Sequence, residues 1–125
     1  MKEKIFILGL ALLATHELDA MIHKEWELLM PFLESKTGEV VFILLHILIF
    51  FASHHYISHP NEPIRYRFKT LMSWFLLLHG LAHFVFSLFH EGYSFSPPIE
   101  SITVYGGSLC GLLYLLLPAK TGLKT

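Results

Sequence analysis

Four long apolar segments take up most of this chain, and each is long enough to cross a lipid bilayer. That pattern restricts the fold more than any other feature. In hydrocarbon every backbone N–H and C=O must find its partner within the structure, so apolar segments of this length fold as helices. The first runs from about Lys4 to Met30 and stops at Pro31. The second runs from about Gly38 to Ser58, ahead of Pro60 and Pro63. The third covers about Phe68 to His90, ahead of Gly92. The fourth starts near Ser96, a suitable N-cap with Pro97 in the first turn, and stops at Pro118.

Composition agrees. The chain is 54% hydrophobic and 15% charged, where a soluble domain is about a quarter charged. The lone Cys110 excludes an intrachain disulfide framework and a cysteine-rich zinc module. A net charge of −1 and the lack of a basic, aromatic-interleaved face exclude nucleic acid as a partner. The expectation is one all-α domain over residues 1–125, a four-span antiparallel transmembrane bundle with membrane lipids around it. Short loops favour up-down-up-down order.

The first span is peculiar. Its strongly apolar part, Ile5 to Ala14, rises only ~15 Å as a helix. The sequence HELDAMIHKEW is therefore expected to continue the helix through the outer half of the membrane. Lys2 and Lys4 ahead of a short apolar run also suit a signal peptide, but no small-x-small cleavage site follows. With four crossings Lys2, Lys4, Arg65, Arg67, Lys69, Lys120 and Lys124 share one side, and only Lys24 and Lys36 lie toward the other. The positive-inside rule then puts both termini in the cytoplasm, with the bacterial inner membrane as the expected location.

Histidine recurs inside three of the four segments: His16 and His23 with Asp19, then His46, then His79 and His83. Polar groups inside apolar spans are costly unless they pair, line a cavity or bind something. At ~100° per residue His16, Asp19, His23 and Glu27 form one stripe, while Glu17 faces about 100° away. His79, His83 and His90 form another stripe, and Glu39, His46 and Ser53 a third. Depth points the same way. At ~1.5 Å per residue His16 and His79 lie ~15–16 Å from the cytoplasmic boundary, and Asp19, His46 and His83 ~20–21 Å. His23, Glu27, Glu39 and His90 form a second layer nearer the outer surface.

Imidazole and carboxylate are the common ligands of zinc and non-haem iron, and ligation offsets their burial. His79-Gly-Leu-Ala-His83 offers an i, i+4 pair and His16 with Asp19 an i, i+3 pair. The candidate metal ligands are His16, Asp19, His23, His46, His79 and His83. Asp19 and Glu27 are candidate catalytic acids, with His23, Glu27 and His90 as ligands or a supporting layer. Neither Glu-x-x-His nor His-Glu-x-x-His occurs, so the ferritin-like and zincin patterns are absent.

Three other readings compete. His16 and His79, at equal depth on separate helices, could ligate one haem b, with Gly80, Gly106, Gly107 and Gly111 making room. His and carboxylate chains in a bundle can relay protons or pass divalent cations. The same groups can also simply hydrogen-bond helices together. Gly107-x-x-x-Gly111 is a small-residue packing face, either internal or a seam between copies. Cys110, Trp26, Trp74 and Tyr93 read as packing or interface residues, and His54, His55 and His59 as neighbours of lipid headgroups.

His79-x-x-x-His83 resembles part of the histidine-box pattern of membrane di-iron hydroxylases and desaturases. A His, an Asp and a later His-x-x-x-His resemble the zinc site of membrane ceramidase-type hydrolases. At THELDAMIHKEW, LLHILIF and HGLAHFVF the chain resembles small bacterial four-helix membrane proteins of uncharacterised function, of the HXXEE type. Where that group has His-x-x-Glu-Glu, this chain has His16-Glu-Leu-Asp19-Ala20. The resemblance implies a four-helix membrane fold and no particular activity. The expected function is a small membrane metalloenzyme, oxidoreductase or hydrolase, acting on a lipidic or other apolar substrate, with self-association open.

Overall fold

A computed structural model describes residues 1–89 and 97–118. Its elements are α1 (Lys2–Ile22), α2 (Trp26–Leu29), α3 (Ser35–Ile57), α4 (Glu62–Phe89), α5 (Pro97–Glu100), a π-helical turn (Ser101–Tyr105) and α6 (Gly106–Leu116). No strand occurs among the described residues. Four helices are long and apolar enough to cross a membrane, of 21, 23, 28 and 19 residues, the last running from Pro98 to Leu116. Their outward faces carry exposed Leu8, Leu18, Leu48, Phe51, Leu81 and Leu109, as a surface solvated by lipid requires.

Two of the expected boundaries shift for identifiable reasons. The first helix ends at Ile22, not Met30. Starting at Lys2, its 21 residues already rise ~31 Å, enough for the hydrocarbon core. It closes in a Schellman turn. The Glu25 N–H donates to the Ala20 carbonyl (3.0 Å) and the Lys24 N–H to that of Met21 (3.4 Å). Lys24 takes the left-handed conformation, φ 56°, that this turn needs and glycine usually supplies. α4 begins at Glu62 rather than Phe68. Pro63 lies in its first turn, where a missing N–H costs nothing, and Asn61 Oδ1 accepts the Ile64 N–H at 3.3 Å. His90, Gly92, Tyr93, Ser96, Lys120 and Lys124 lie outside the described residues.

α1, α4 and α6 form a tight wedge. Lys2 Nζ donates to the Leu117 carbonyl (2.8 Å), which sets α6 antiparallel to α1. Lys69 pairs with Glu3, and Phe6, Leu13, Met72, Leu76 and Tyr114 build one apolar cluster. Glycine permits the close approach. A Cβ on Gly111 would stand 2.5 Å from the Ser73 carbonyl oxygen, one on Gly80 2.5 Å from Ser108 Cβ, and one on Gly9 2.9 Å from Leu76 Cδ1. Dispersion contacts of this kind drive helix association in lipid, where the hydrophobic effect between helices is absent. The Gly107/Gly111 face is thus an internal contact. α3 lies outside the wedge. It leans on Trp26 through Phe42 and Gly38, on Glu17 through His46, and on Phe68 through Tyr56. Ala20, Trp26 and Phe42 form a second apolar cluster toward the other membrane face. Along α1 the buried polar groups fall between Leu13 of the first cluster and Ala20 of the second.

Candidate metal centre

His16 of α1 and His79 and His83 of α4 meet in the interior. Each offers a ring nitrogen, and these three atoms lie within 4.8 Å of one another. The rings touch edge to face or at a tilt, with centroids 4.6 to 5.0 Å apart. The local reason is the helical repeat: His79 and His83 are one turn apart on one face of α4. Parallel packing of α1 and α4, fixed by Glu3–Lys69 at the start of α1, brings His16 to their level.

A carboxylate borders two of the three rings. Glu25 follows the Schellman turn, so its side chain folds back under the end of α1. Its Oε2 is 3.5 Å from His16 Nε2 and its Oε1 is 3.4 Å from His83 Nε2. Both exceed a normal hydrogen bond. They equal the ~3.3–3.5 Å edge of a tetrahedral site with metal–ligand bonds of ~2.0–2.2 Å. His16 and Glu25 are 1% and 4% exposed, so water does not solvate this carboxyl. Burial, then the carboxylates of Glu17, Glu100 and Asp19, push its pKa up to about 8. A cation held between the imidazoles would reverse that balance, because it would supply the opposite charge that the site lacks.

Glu100, at the end of α5, backs the group. His83 Nδ1 lies 3.2 Å from Glu100 Oε1, and a carboxylate only accepts, so Nδ1 carries the hydrogen. The Nε2 lone pair then faces Glu25. Carboxylate behind imidazole is the usual support of a metal-ligating histidine. The π-helical turn at Ser101–Tyr105 begins right after Glu100, and such turns recur at functional sites. Buried side-chain atoms with no hydrogen-bond partner among the described residues are both nitrogens of His16, His79 Nε2, Glu25 Oε2, Asp19 Oδ2 and Trp26 Nε1. Buried polar atoms are normally paired. Four of these six belong to the His/Glu25 group, whose atoms could hold a metal ion.

The other expected ligands lie elsewhere. His46 Nε2 pairs with Glu17 Oε2 at 2.6 Å, and its Nδ1 donates to the Phe42 carbonyl at 2.7 Å. Both nitrogens are thus engaged, and the pair ties α3 to α1. His23 Nδ1 meets the Asp19 backbone carbonyl (2.9 Å) and Asp19 Oδ1 (3.4 Å) at the half-exposed end of α1. Asp19 itself is buried beside that end, outside the three-imidazole group. Glu27 is exposed and accepts the Ser35 hydroxyl at 2.6 Å, a tie across the α2–α3 loop. The space expected for a porphyrin is filled: Ser108 sits against Gly80, and the α4 backbone and Leu76 sit against Gly111. His83 lies against both His16 and His79, leaving no slot between them for a macrocycle.

Glu25 and Glu100 are the two residues that the sequence pattern does not single out. On an unbroken helix Glu25 points about 180° from His16. The signal available was a helix-ending motif without glycine, and nothing in His23-Lys24-Glu25 advertises it. No curated protein and no solved structure matches the chain. The family model for a family of unknown function, DUF6713, matches residues 2–121, so the chain belongs to that family.

Proposed function

We propose that this protein is a membrane metalloenzyme whose ion is held by His16, His79, His83 and Glu25. The observation that carries the reading is the convergence of three imidazoles from two helices, with a buried carboxylate beside His16 and His83 and with both His16 nitrogens, His79 Nε2 and Glu25 Oε2 lacking a hydrogen-bond partner among the described residues. Helix-bonding alone would leave the His16 and His79 rings hydrogen-bonded across helices, as His46 is to Glu17 and His83 to Glu100. Three imidazoles are the protein ligands of a common class of catalytic zinc site. An ion held there by His16, His79 and His83 would supply Lewis-acid polarisation of a carbonyl and a bound water of lowered pKa. Glu25 is placed to ligate or to take a proton, and Glu100 orients His83. Hydrolysis of a lipidic substrate is the chemistry that suits this donor set in an apolar bundle. A second reading has its own observation: His16, His83 and Glu25 form a two-His, one-carboxylate set, the ligand type of non-haem iron oxygenases.

The basic residues Lys2 and Lys69 lie at the same end of the bundle, which supports cytoplasmic termini in the inner membrane. The test is elemental analysis of detergent-purified protein, wild type and His79→Ala/His83→Ala. One zinc or iron per chain, lost in the variant while helicity persists, supports the proposal. Zinc with lipid ester or amide hydrolysis selects the first reading, and iron with oxygen consumption the second. A wild type without stoichiometric ion, or a variant that keeps it, ends both.

A further inference from the structure

A second histidine cluster lies far along the chain from this centre, where α3 ends and α4 begins. Phe51, His54, His55, Ser58, His59 and Pro60 line a cleft of about 390 Å³. We propose that it binds the phosphate of an anionic lipid headgroup.

The first argument is donor chemistry. The Asn61 N–H donates to His59 Nδ1 at 3.1 Å, so the neutral ring carries its hydrogen on Nε2. His59 thus presents a donor, not a lone pair, and suits an oxyanion better than a metal ion. The His55 ring stands 5.8 Å away at 75°, and the Ser58 hydroxyl belongs to the same lining. Arg65 is anchored beside them: Nη1 donates to the His59 carbonyl at 2.8 Å, which leaves other guanidinium hydrogens free to approach an anion. The segment 54–67 holds Arg65 and Arg67 against Glu62 alone, so the local charge is positive.

The second argument is position and shape. α3 stops at Ile57 and α4 starts at Glu62, so the cleft lies at the end of two membrane-crossing helices, at headgroup depth. Its floor is Phe51 on the outer face of α3, exposed and apolar. An apolar floor with N–H and O–H donors on the rim fits an acyl chain ending in a phosphate. A free phosphate would gain nothing from Phe51. This is the end of the bundle that carries Lys2 and Lys69, and anionic lipid attracts basic residues by roughly 1 kcal/mol each.

The test uses spin-labelled phosphatidylglycerol and phosphatidylcholine at low mole fraction in phosphatidylcholine bilayers containing the full chain. Wild type is expected to retain the phosphatidylglycerol label about fivefold over phosphatidylcholine. His54→Ala/His55→Ala/His59→Ala brings the ratio to parity. His59→Gln keeps the preference, because its amide can accept from Asn61 and still donate outward. Retained helicity shows that the triple variant is folded. Equal retention of both lipids by the wild type overturns the proposal. So does a preference lost in Arg67→Ala but kept in the triple variant, which would assign it to diffuse basic charge. Displacement of the labelled lipid by excess inorganic phosphate assigns the site to the free anion and overturns the lipid identity.

Discussion

His83 donates from Nδ1 to the Glu100 carboxylate at 3.2 Å, while its Nε2 looks the other way, toward Glu25. One imidazole is thereby fixed in tautomer and direction by a carboxylate on a different membrane-crossing segment. Loss of such a support costs roughly 10–100-fold in metal affinity. Glu100→Ala is expected to fall in that range, measured by chelator competition on the zinc- or iron-loaded protein. Glu100→Gln, which can still accept the hydrogen, is expected to lose clearly less. Equal affinity for all three proteins refutes the supporting role.

Metal removal should be visible in stability. An ion at about a hundred times its Kd stabilises the native state by about 2.7 kcal/mol. Thermal unfolding in detergent should therefore shift downward when the wild type is stripped with a chelator. His16→Leu/His79→Leu is expected to show no such shift. Its metal-free form should be at least as stable as the stripped wild type, because unpaired buried polar groups cost about 1–3 kcal/mol each.

Glycine positions in the wedge should separate sharply. Gly111→Ala drives a methyl to 2.5 Å from the Ser73 carbonyl, a backbone atom with little freedom to move. A loss of about 1–3 kcal/mol is expected. At Gly106 the nearest atom is Leu12 Cδ1 at 3.2 Å, the far end of a flexible side chain. Gly106→Ala is expected to lie within about 0.5 kcal/mol of wild type, since helix propensity offsets the contact. Unfolding by titrated denaturing detergent measures both.

Lys24 occupies a backbone conformation that disfavours any residue with a Cβ by roughly 1–2 kcal/mol. Lys24→Gly should stabilise the protein by about 1 kcal/mol and leave metal affinity unchanged. Lys24→Val should destabilise it and weaken metal binding, because the turn that aims Glu25 inward depends on that conformation. Affinity that ignores Lys24→Val would separate Glu25 from the site.

The sequence carried the helical architecture and three of the four proposed ligands. Span length, proline punctuation and the recurrence of histidine at matched depth placed His16, His79 and His83 in one slab, because helix rise and pitch are properties of the backbone. His46 shows where depth stops being enough. Its level matched, but Glu17, a quarter-turn from the His16 stripe, faces α3 and pairs with it. Glu25 was hidden by continuity, since extending the helix past Ile22 sends it to the opposite face. Glu100 sits at the segment end farthest from the small residues that drew attention on the fourth span. Both depend on where a helix breaks, and that is decided by a few backbone dihedrals with little trace in composition.

The unequal attachment of the four long helices has a mechanical consequence. Where α1, α4 and α6 meet through glycine, a slide of even an ångström drives backbone into side chain, so that part behaves as a rigid block. α3 rests on a few aromatic contacts, a glycine and one imidazole–carboxylate link to Glu17. Relative motion among the long helices therefore falls to α3, and on the proposed function that is the helix whose displacement, breaking the His46–Glu17 link, would admit a reactant from the bilayer.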